Sequence, residues 1–367
     1  MDRLSNAVDR YSSTGQFLGT LISDSTNLNQ PDGIALSPDH TKLFVASSQN
    51  NEVVEYNYDA ATGTAGDPTV FATAAQGLAF PNSMVFSPDG TKLYVANLGG
   101  TGVTQLNLDG TSAGPNITGG SSSEFSGLAF TSSGELLAGG FDGGTVAISN
   151  PAVSSFSDLV TPTSSLQGLA GVLVNGNDLY VTGLFSGTFE KFNLATGNVD
   201  PTFTQATGLG FPQGVFLAPD GNSLLVEVLG FANGAGNISE YSFNGAFLGT
   251  FATPATSASQ GFIEATTMIV VPGPTGSVLT GDVNHDGIVN SQDLALVSSQ
   301  WLQSGPSLQG DVNGDGIVNS QDLALISSNW LHSSSASATA VPEPSTLVLG
   351  LAGCALLIAR CAYRRRG

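Results

Sequence analysis

The chain has 367 residues, with 29 acidic side chains against nine basic ones and a formal net charge of −20. Before residue 281 the only bases are Arg3, Arg10, Lys42, Lys92 and Lys191, facing 22 carboxylates, which excludes a cationic surface for nucleic acid. The length fits one large or two medium domains, and both cysteines, Cys354 and Cys361, lie near the C-terminus, so no disulfide staples the folded part.

Met1 runs straight into strand-like sequence, with neither a charged n-region nor an apolar h-region, so an export signal is expected upstream of it. Residues 1–272 then repeat a short apolar strand led by a polar residue. The anchors begin at Asp32, Asn82, Ser126, Gln167, Gln213 and Gln260, at spacings of 50, 44, 41, 46 and 47 residues. A period in the forties with several short strands in each period predicts propeller blades. Each period continues through a turn such as Ser87-Pro88-Asp89-Gly90, a second apolar strand, an alternating third strand and a short fourth one. Six anchors predict six blades. The ends agree, because the segment from Tyr11 to Thr20 closely matches that from Tyr241 to Thr250. The chain is therefore expected to begin with the outer half of a blade whose inner half, 261–271, comes last, closing the ring.

By its repeat, this part resembles the NHL-type and lactonase-type six-bladed propellers. Lactonase-type propellers hold a divalent metal at one mouth of the channel with Glu, Asp and Asn. That resemblance implies Glu264, Asp32 and Asn82 as candidate metal or catalytic residues. Three of the six ring positions are Gln, a poor cation ligand, so the leading expectation is a rigid face that binds a ligand of unknown identity. A metal-dependent hydrolase of lactone type is the alternative. Gly110-Thr111-Ser112-Ala113-Gly114 matches G-x-S-x-G but lies in a Gly-rich hairpin, and His40 sits in a turn, so no Ser-His pair is evident.

After a linker at 273–280, residues 281–332 carry one loop-helix unit twice. A calcium loop draws hard oxygen ligands from positions 1, 3, 5, 7, 9 and 12. In the first copy these are Asp282, Asn284, Asp286, the Ile288 carbonyl, Asn290 and Asp293. In the second they are Asp311, Asn313, Asp315, the Ile317 carbonyl, Asn319 and Asp322. Gly287 and Gly316 fall at position 6, where the loop turns sharply. Two Ca2+ ions are expected, with Val289 and Val318 at position 8 bridging the loops. The exiting helix, 291–301, is predicted to bury Leu294, Val297 and Trp301, and its copy to bury Leu323, Ile326 and Trp330. Position 12 is Asp instead of the Glu of an ordinary EF-hand, and no amphipathic helix precedes either loop.

A loop-helix duplicated in this way resembles the dockerin type I domain. In that family loop positions 10 and 11 contact a cohesin partner. They correspond here to Ser291, Gln292, Ser320 and Gln321, and identity of the two pairs implies two binding orientations. A second reading is a calcium-stapled spacer without a cohesin. A Ser/Ala spacer at 333–340 leads to Pro342-Glu343-Pro344, an apolar run at 346–359 expected to form a short helix, and four arginines among the last residues. The run is shorter than a relaxed membrane span, and the arginines should stay cytoplasmic. This layout at 341–367 resembles the PEP-CTERM sorting signal, which implies processing by an exosortase after transient membrane insertion. The whole then reads as mainly β with a small α module. It is expected to be exported to the cell envelope or extracellular matrix of a Gram-negative-type bacterium.

Overall fold

The computed structural model describes residues 3, 5–60, 62–161, 164–229, 236–253, 269, 281, 283, 289, 291–305, 308, 310–313 and 317–330. The chain divides into two compact units, Met1–Pro274 and Thr275–Gly367.

The first unit is a propeller of antiparallel sheets. A two-stranded sheet, β1 (Ala7–Tyr11) with β2 (Phe17–Ser23), opens it. Blade 1 is β3 (Pro31–Leu36), β4 (Lys42–Ser47), β5 (Glu52–Asp59) and β6 (Thr64–Ala72). Blade 2 is β7 (Pro81–Phe86), β8 (Lys92–Asn97) and β9 (Val103–Asn107). Blade 3 is β10 (Phe125–Phe130), β11 (Leu136–Gly140), β12 (Thr145–Ser149) and β13 (Phe156–Val160). Blade 4 is β14 (Leu169–Asn175), β15 (Asp178–Gly183) and β16 (Thr188–Asn193). Blade 5 is β17 (Pro212–Leu217), β18 (Leu224–Val228), β19 (Asn237–Tyr241) and β20 (Phe247–Ala252). Isolated bridges, Val103 to Ile117 and Phe189 to Ala206, stand in for a regular fourth strand in blades 2 and 4.

Turn chemistry sets the strand pairing. In blade 2 the Ser87 hydroxyl donates to Asp89 at 2.6 Å, and Asp89 also accepts from the Thr91 N–H and hydroxyl. These bonds, led by that from Ser87, pull the Asp89 carboxyl down to about 2. Gly90 supplies the positive φ of the turn; His40 does so in blade 1. Neighbouring blades are glued by apolar layers. Between blades 1 and 2 lie Phe44, Ala46, Leu78, Met84, Leu93 and Val95, and each large side chain buried there contributes roughly 1.5–3 kcal/mol.

The expected count of six blades is not reached among the described residues. Five blades of three or four strands are seen, and the sixth position holds only β1 and β2; its expected inner half, 261–271, lies outside the described residues except Ile269. That outer sheet is nonetheless seated as a blade. On one side Val8 and Ile22 pack with Ile34, Leu43 and Ile269; on the other Tyr11 packs with Leu225, Ile238 and Phe251. A repeated contact marks the seating. Gly15, Gly110 and Gly197, all at positive φ, lie against the backbone carbonyls of Phe251, Phe71 and Leu159 on the preceding blade, with no room for a Cβ.

The second unit shows two helices, α1 (Ser291–Ser299) and α2 (Ser320–Ser328). Asn319 caps α2 by accepting from the Gln321 N–H, and the Asp322 carboxylate returns a bond from the Asn319 N–H at 2.8 Å. The core is Val283, Val289, Val297, Val318 and Ile326. Two expectations fail here. Trp301 and Trp330 are 42% and 41% exposed, because each lies beyond the helix end instead of on its inner stripe. Val318 does not spend its backbone on Val289: its N–H donates to Gln303 and its carbonyl accepts from Leu302. Both valines meet through their side chains in the core. The 346–359 segment lies outside the described residues; among those described, no helix is long and apolar enough to cross a membrane.

Candidate functional site

The loop-helix repeat is held together reciprocally. An added Cβ on Gly281, before the first loop, would lie 3.0 Å from Ile326 Cα on α2, and one on Gly310, before the second, 3.1 Å from Val297 Cα on α1. Each loop thus starts on the other copy's helix. In the second loop the structure brings positions 2, 3, 9 and 12 together. Asp322, fully buried, accepts from the Val312 N–H at 2.7 Å, the Asn313 N–H at 3.1 Å and the Asn319 N–H. Asp293 is equally buried and accepts from the Val283 N–H at 2.7 Å. Asp311 and the Ile317 carbonyl belong to the same described loop, whereas Asp315 lies outside the described residues. So do Asp282, Asn284, Asp286, Ile288 and Asn290 of the first copy. The donors present are hard oxygens only, and a carboxylate buried at the loop's end fits calcium better than a soft metal. Of the expected partner-facing residues, Ser291, Gln292, Ser320 and Gln321 open the two helices. Ser320 and Gln321 are exposed, and Gln321 accepts from the Asn313 amide at 3.2 Å, tying the expected recognition position to an expected ligand position.

In the propeller, each of the five described inner strands carries a one-residue bulge at the same place. Pairing skips from Pro31 to Ile34, Pro81 to Met84, Phe125 to Leu128, Leu169 to Val172 and Pro212 to Val215. A bulge re-aims side chains, and these sit one after another round the channel. Gly33, Gly127 and Gly171 press on the carbonyls of Asn82, Ala170 and Gln213 in the next blade. The ring is therefore Asp32, Asn82, Ser126, Ala170 and Gln213. Gln167, expected there, lies three residues earlier, because Leu169 and not Leu166 pairs with the second strand.

Asp32 is 2% exposed, accepts from the Ser48 hydroxyl at 2.9 Å and has the Arg3 guanidinium 3.5 Å away. Asn82 is half-buried, and Glu264 and Gln260 lie outside the described residues. A carboxylate already facing a guanidinium is a poor start for a metal centre. Among the described residues no three His, Cys, Asp or Glu side chains converge as a metal site. The sequence reading missed Glu227. It sits in β18, 1% exposed, and neither carboxylate oxygen has a hydrogen-bond partner among the described residues. Burial pushes its carboxyl up to about 8, and the negative charge of Asp32 acts in the same direction. Strand pairing aligns Glu227 with Ala46, Ala96, Gly139 and Thr182 of the other blades. A charged residue inside Leu224-Leu225-Val226-Glu227-Val228 was the signal that could have found it.

Comparison with known proteins agrees with both halves. Residues 11–112 match the family described as SMP-30/Gluconolactonase/LRE-like region, and residues 280–331 match the dockerin type I domain, a family that binds calcium and cohesin partners. No curated protein matches the chain. A putative 6-phosphogluconolactonase from Bacteroides uniformis is similar over 72% of this chain and 81% of its own, at 17% identity and a TM-score of 0.51. A gluconolactonase from Xanthomonas campestris is similar over 62% of this chain and 77% of its own, at 16% identity and a TM-score of 0.46. A streptogramin B lyase gives 17% identity over 63% of this chain and 72% of its own, with a TM-score of 0.48. Likeness at such identities concerns the fold alone.

Proposed function

We propose that the protein is an exported binding or scaffold protein, attached through its dockerin-like module to a cohesin-type partner, with the propeller as the displayed part. The observation that carries this reading is the duplicated loop-helix itself, with identical Ser-Gln pairs at the starts of α1 and α2. Two calcium ions, one per loop, and a sorting tail at 341–367 that is cut off near Pro342-Glu343-Pro344 complete the proposal; sequence supports both. The sixth blade would be completed by 261–271, supported by the seating of β1 and β2 and by Ile269 in their core.

Attachment is tested by calcium-dependent capture of the full chain on immobilised type I cohesins. If either helix can face the partner, Ser291→Ala with Gln292→Ala leaves capture within about twofold, as does Ser320→Ala with Gln321→Ala. Combining all four lowers affinity at least a hundredfold, about 2.7 kcal/mol. Capture unaffected by the fourfold change, or absent with every cohesin tried, rejects the attachment reading.

The alternative, a metal-dependent lactonase, is favoured by the match at residues 11–112. On that reading the full chain with added divalent metal opens aldonolactones, and Glu264→Gln lowers turnover at least a hundredfold. No turnover with any divalent metal leaves the propeller as a binding face.

A further inference from the structure

We propose that the cleft between the β11–β12 and β15–β16 turns binds an organic monocation, an alkylammonium group on a free amine or on a lysine side chain. The cleft has a volume of about 490 Å³ and is lined by Glu124, Phe141, Asp142, Gln167, Gly168 and Phe185. That is within the size range of small-molecule sites.

Its wall is a pair of aromatic rings. Phe141 and Phe185 stand edge to face, centroids 5.5 Å apart and planes at 67°. Phe185 is 60% exposed and so presents its ring to the cleft and to solvent. It is held there. Gly168, at φ +65, lies directly beneath it, and a Cβ would come within 2.5 Å of the ring. The Phe185 N–H donates to the Gln167 carbonyl at 3.0 Å, and the Phe141 N–H to that of Glu124 at 2.8 Å. The backbone that carries both rings is therefore tied down before any ligand arrives.

The polar groups give the sign of the ligand. Asp142 is locked by the Ser122 hydroxyl, by the Ser123 hydroxyl at 3.0 Å and by the N–H groups of Ser123 and Glu124. Burial alone would raise its carboxyl, but these donors together bring it below the ordinary range, so it is an anion. The side chains of Glu124 and Gln167 have no hydrogen bond or ion pair among the described residues. Among the described residues no Lys or Arg lines the cleft to neutralise the carboxylates. Lys42 and Lys191 are paired elsewhere, with Glu55 and with Asp178 and Asp200. Two carboxylates beside ring faces of negative quadrupole attract a cation with an apolar stem, and the Gln167 amide oxygen can accept an N–H bond from a primary ammonium, which a quaternary one does not offer. A phosphate, carboxylate or nucleotide would be repelled.

This inference does not rest on cohesin attachment, so failure of either test leaves the other standing. Titration calorimetry on the full calcium-loaded chain tests it, with choline, Nα-acetyl-lysine methylamide, its neutral isostere Nα-acetyl-norleucine methylamide, and maltose. Binding of choline or of the lysine compound at least tenfold tighter than the norleucine compound is expected. Which of the two binds tells a free quaternary amine from a peptide side chain. Phe185→Leu, which keeps apolar volume without a ring face, and Glu124→Gln should each weaken binding at least fivefold with unfolding temperature unchanged. Asp109→Asn, on a hairpin of blade 2, should leave affinity unchanged. Equal binding of the norleucine compound, preference for maltose, or an Asp109→Asn loss matching that of Glu124→Gln would each overturn the proposal.

Discussion

Chelating calcium is expected to melt α1 and α2 while the propeller keeps its strands. The module's apolar core is five small or medium side chains, Val283, Val289, Val297, Val318 and Ile326, which is too little to fold some 50 residues unaided. Against that stands the repulsion among Asp311, Asp315 and Asp322, and the corresponding trio of the first loop, once no cation sits between them. Calcium at a thousandfold excess over its dissociation constant adds about 4 kcal/mol per site, enough to decide the equilibrium. Amide exchange is the proper measurement. Protection at Val297, Val318 and Ile326 should vanish with chelator and return with calcium, while that of β4, β8 and β15 persists. Tryptophan emission will report less, since both indoles are already wet in the folded module. Asp322→Ala should act like the chelator even at saturating calcium. It removes the ligand and three charge-assisted bonds from the Val312, Asn313 and Asn319 N–H groups, each worth roughly 1.5–3 kcal/mol. Protection identical with and without calcium would remove the loops from consideration as calcium sites.

The second large effect belongs to Glu227 and is read as a pH dependence of the propeller alone. Its carboxyl goes from an ordinary 4.5 when unfolded to about 8 in the fold. Below 4.5 both states hold the proton and the fold carries no penalty. As pH rises the unfolded chain releases it first, so stability falls steadily until about pH 8 and is flat beyond. The total is on the order of 5 kcal/mol. Glu227→Gln keeps the shape without the titration. It should abolish this decline, leaving the variant several degrees more stable than the parent at pH 8.5 and nearly equal to it at pH 4.5. Parallel melting curves for parent and variant from pH 5 to 9 would mean that Glu227 finds a cation or a water chain that keeps it ionised.

Periodicity made much of this legible, and the exceptions have physical reasons. Blade spacing and the doubled loop could be read because each repeat obeys one hydrogen-bond scheme, seen in Ser87-Asp89-Thr91 and in the cap at Asn319. The ring was misread at Gln167 because Leu166-Gln167-Gly168-Leu169 and Leu169-Ala170-Gly171-Val172 both fit the anchor pattern, three residues apart; only the pairing of Leu169 with Gly183 selects the second. The tryptophans were misplaced because the helical pattern was carried past Ser299, where α1 stops and Leu302 turns to positive φ. Glu227 escaped because a single carboxylate in an apolar strand has no motif; its meaning lies in alignment with Ala46, Ala96, Gly139 and Thr182 across blades. Phe141 and Phe185 are 44 residues apart in sequence, and nothing local marks them as a pair.

The crossed seating of Gly281 on α2 and Gly310 on α1 means that neither copy of the loop-helix is a finished object. If each loop takes one ion, as proposed, the first to order a loop also settles the helix on which the other loop begins, so the second would meet a site already half built. On the proposed two-ion reading, half-loaded molecules are expected to be scarce and the response to rising calcium steeper than two separate sites would give. On that reading the module would act as a latch, slack where calcium is low and set where it is plentiful.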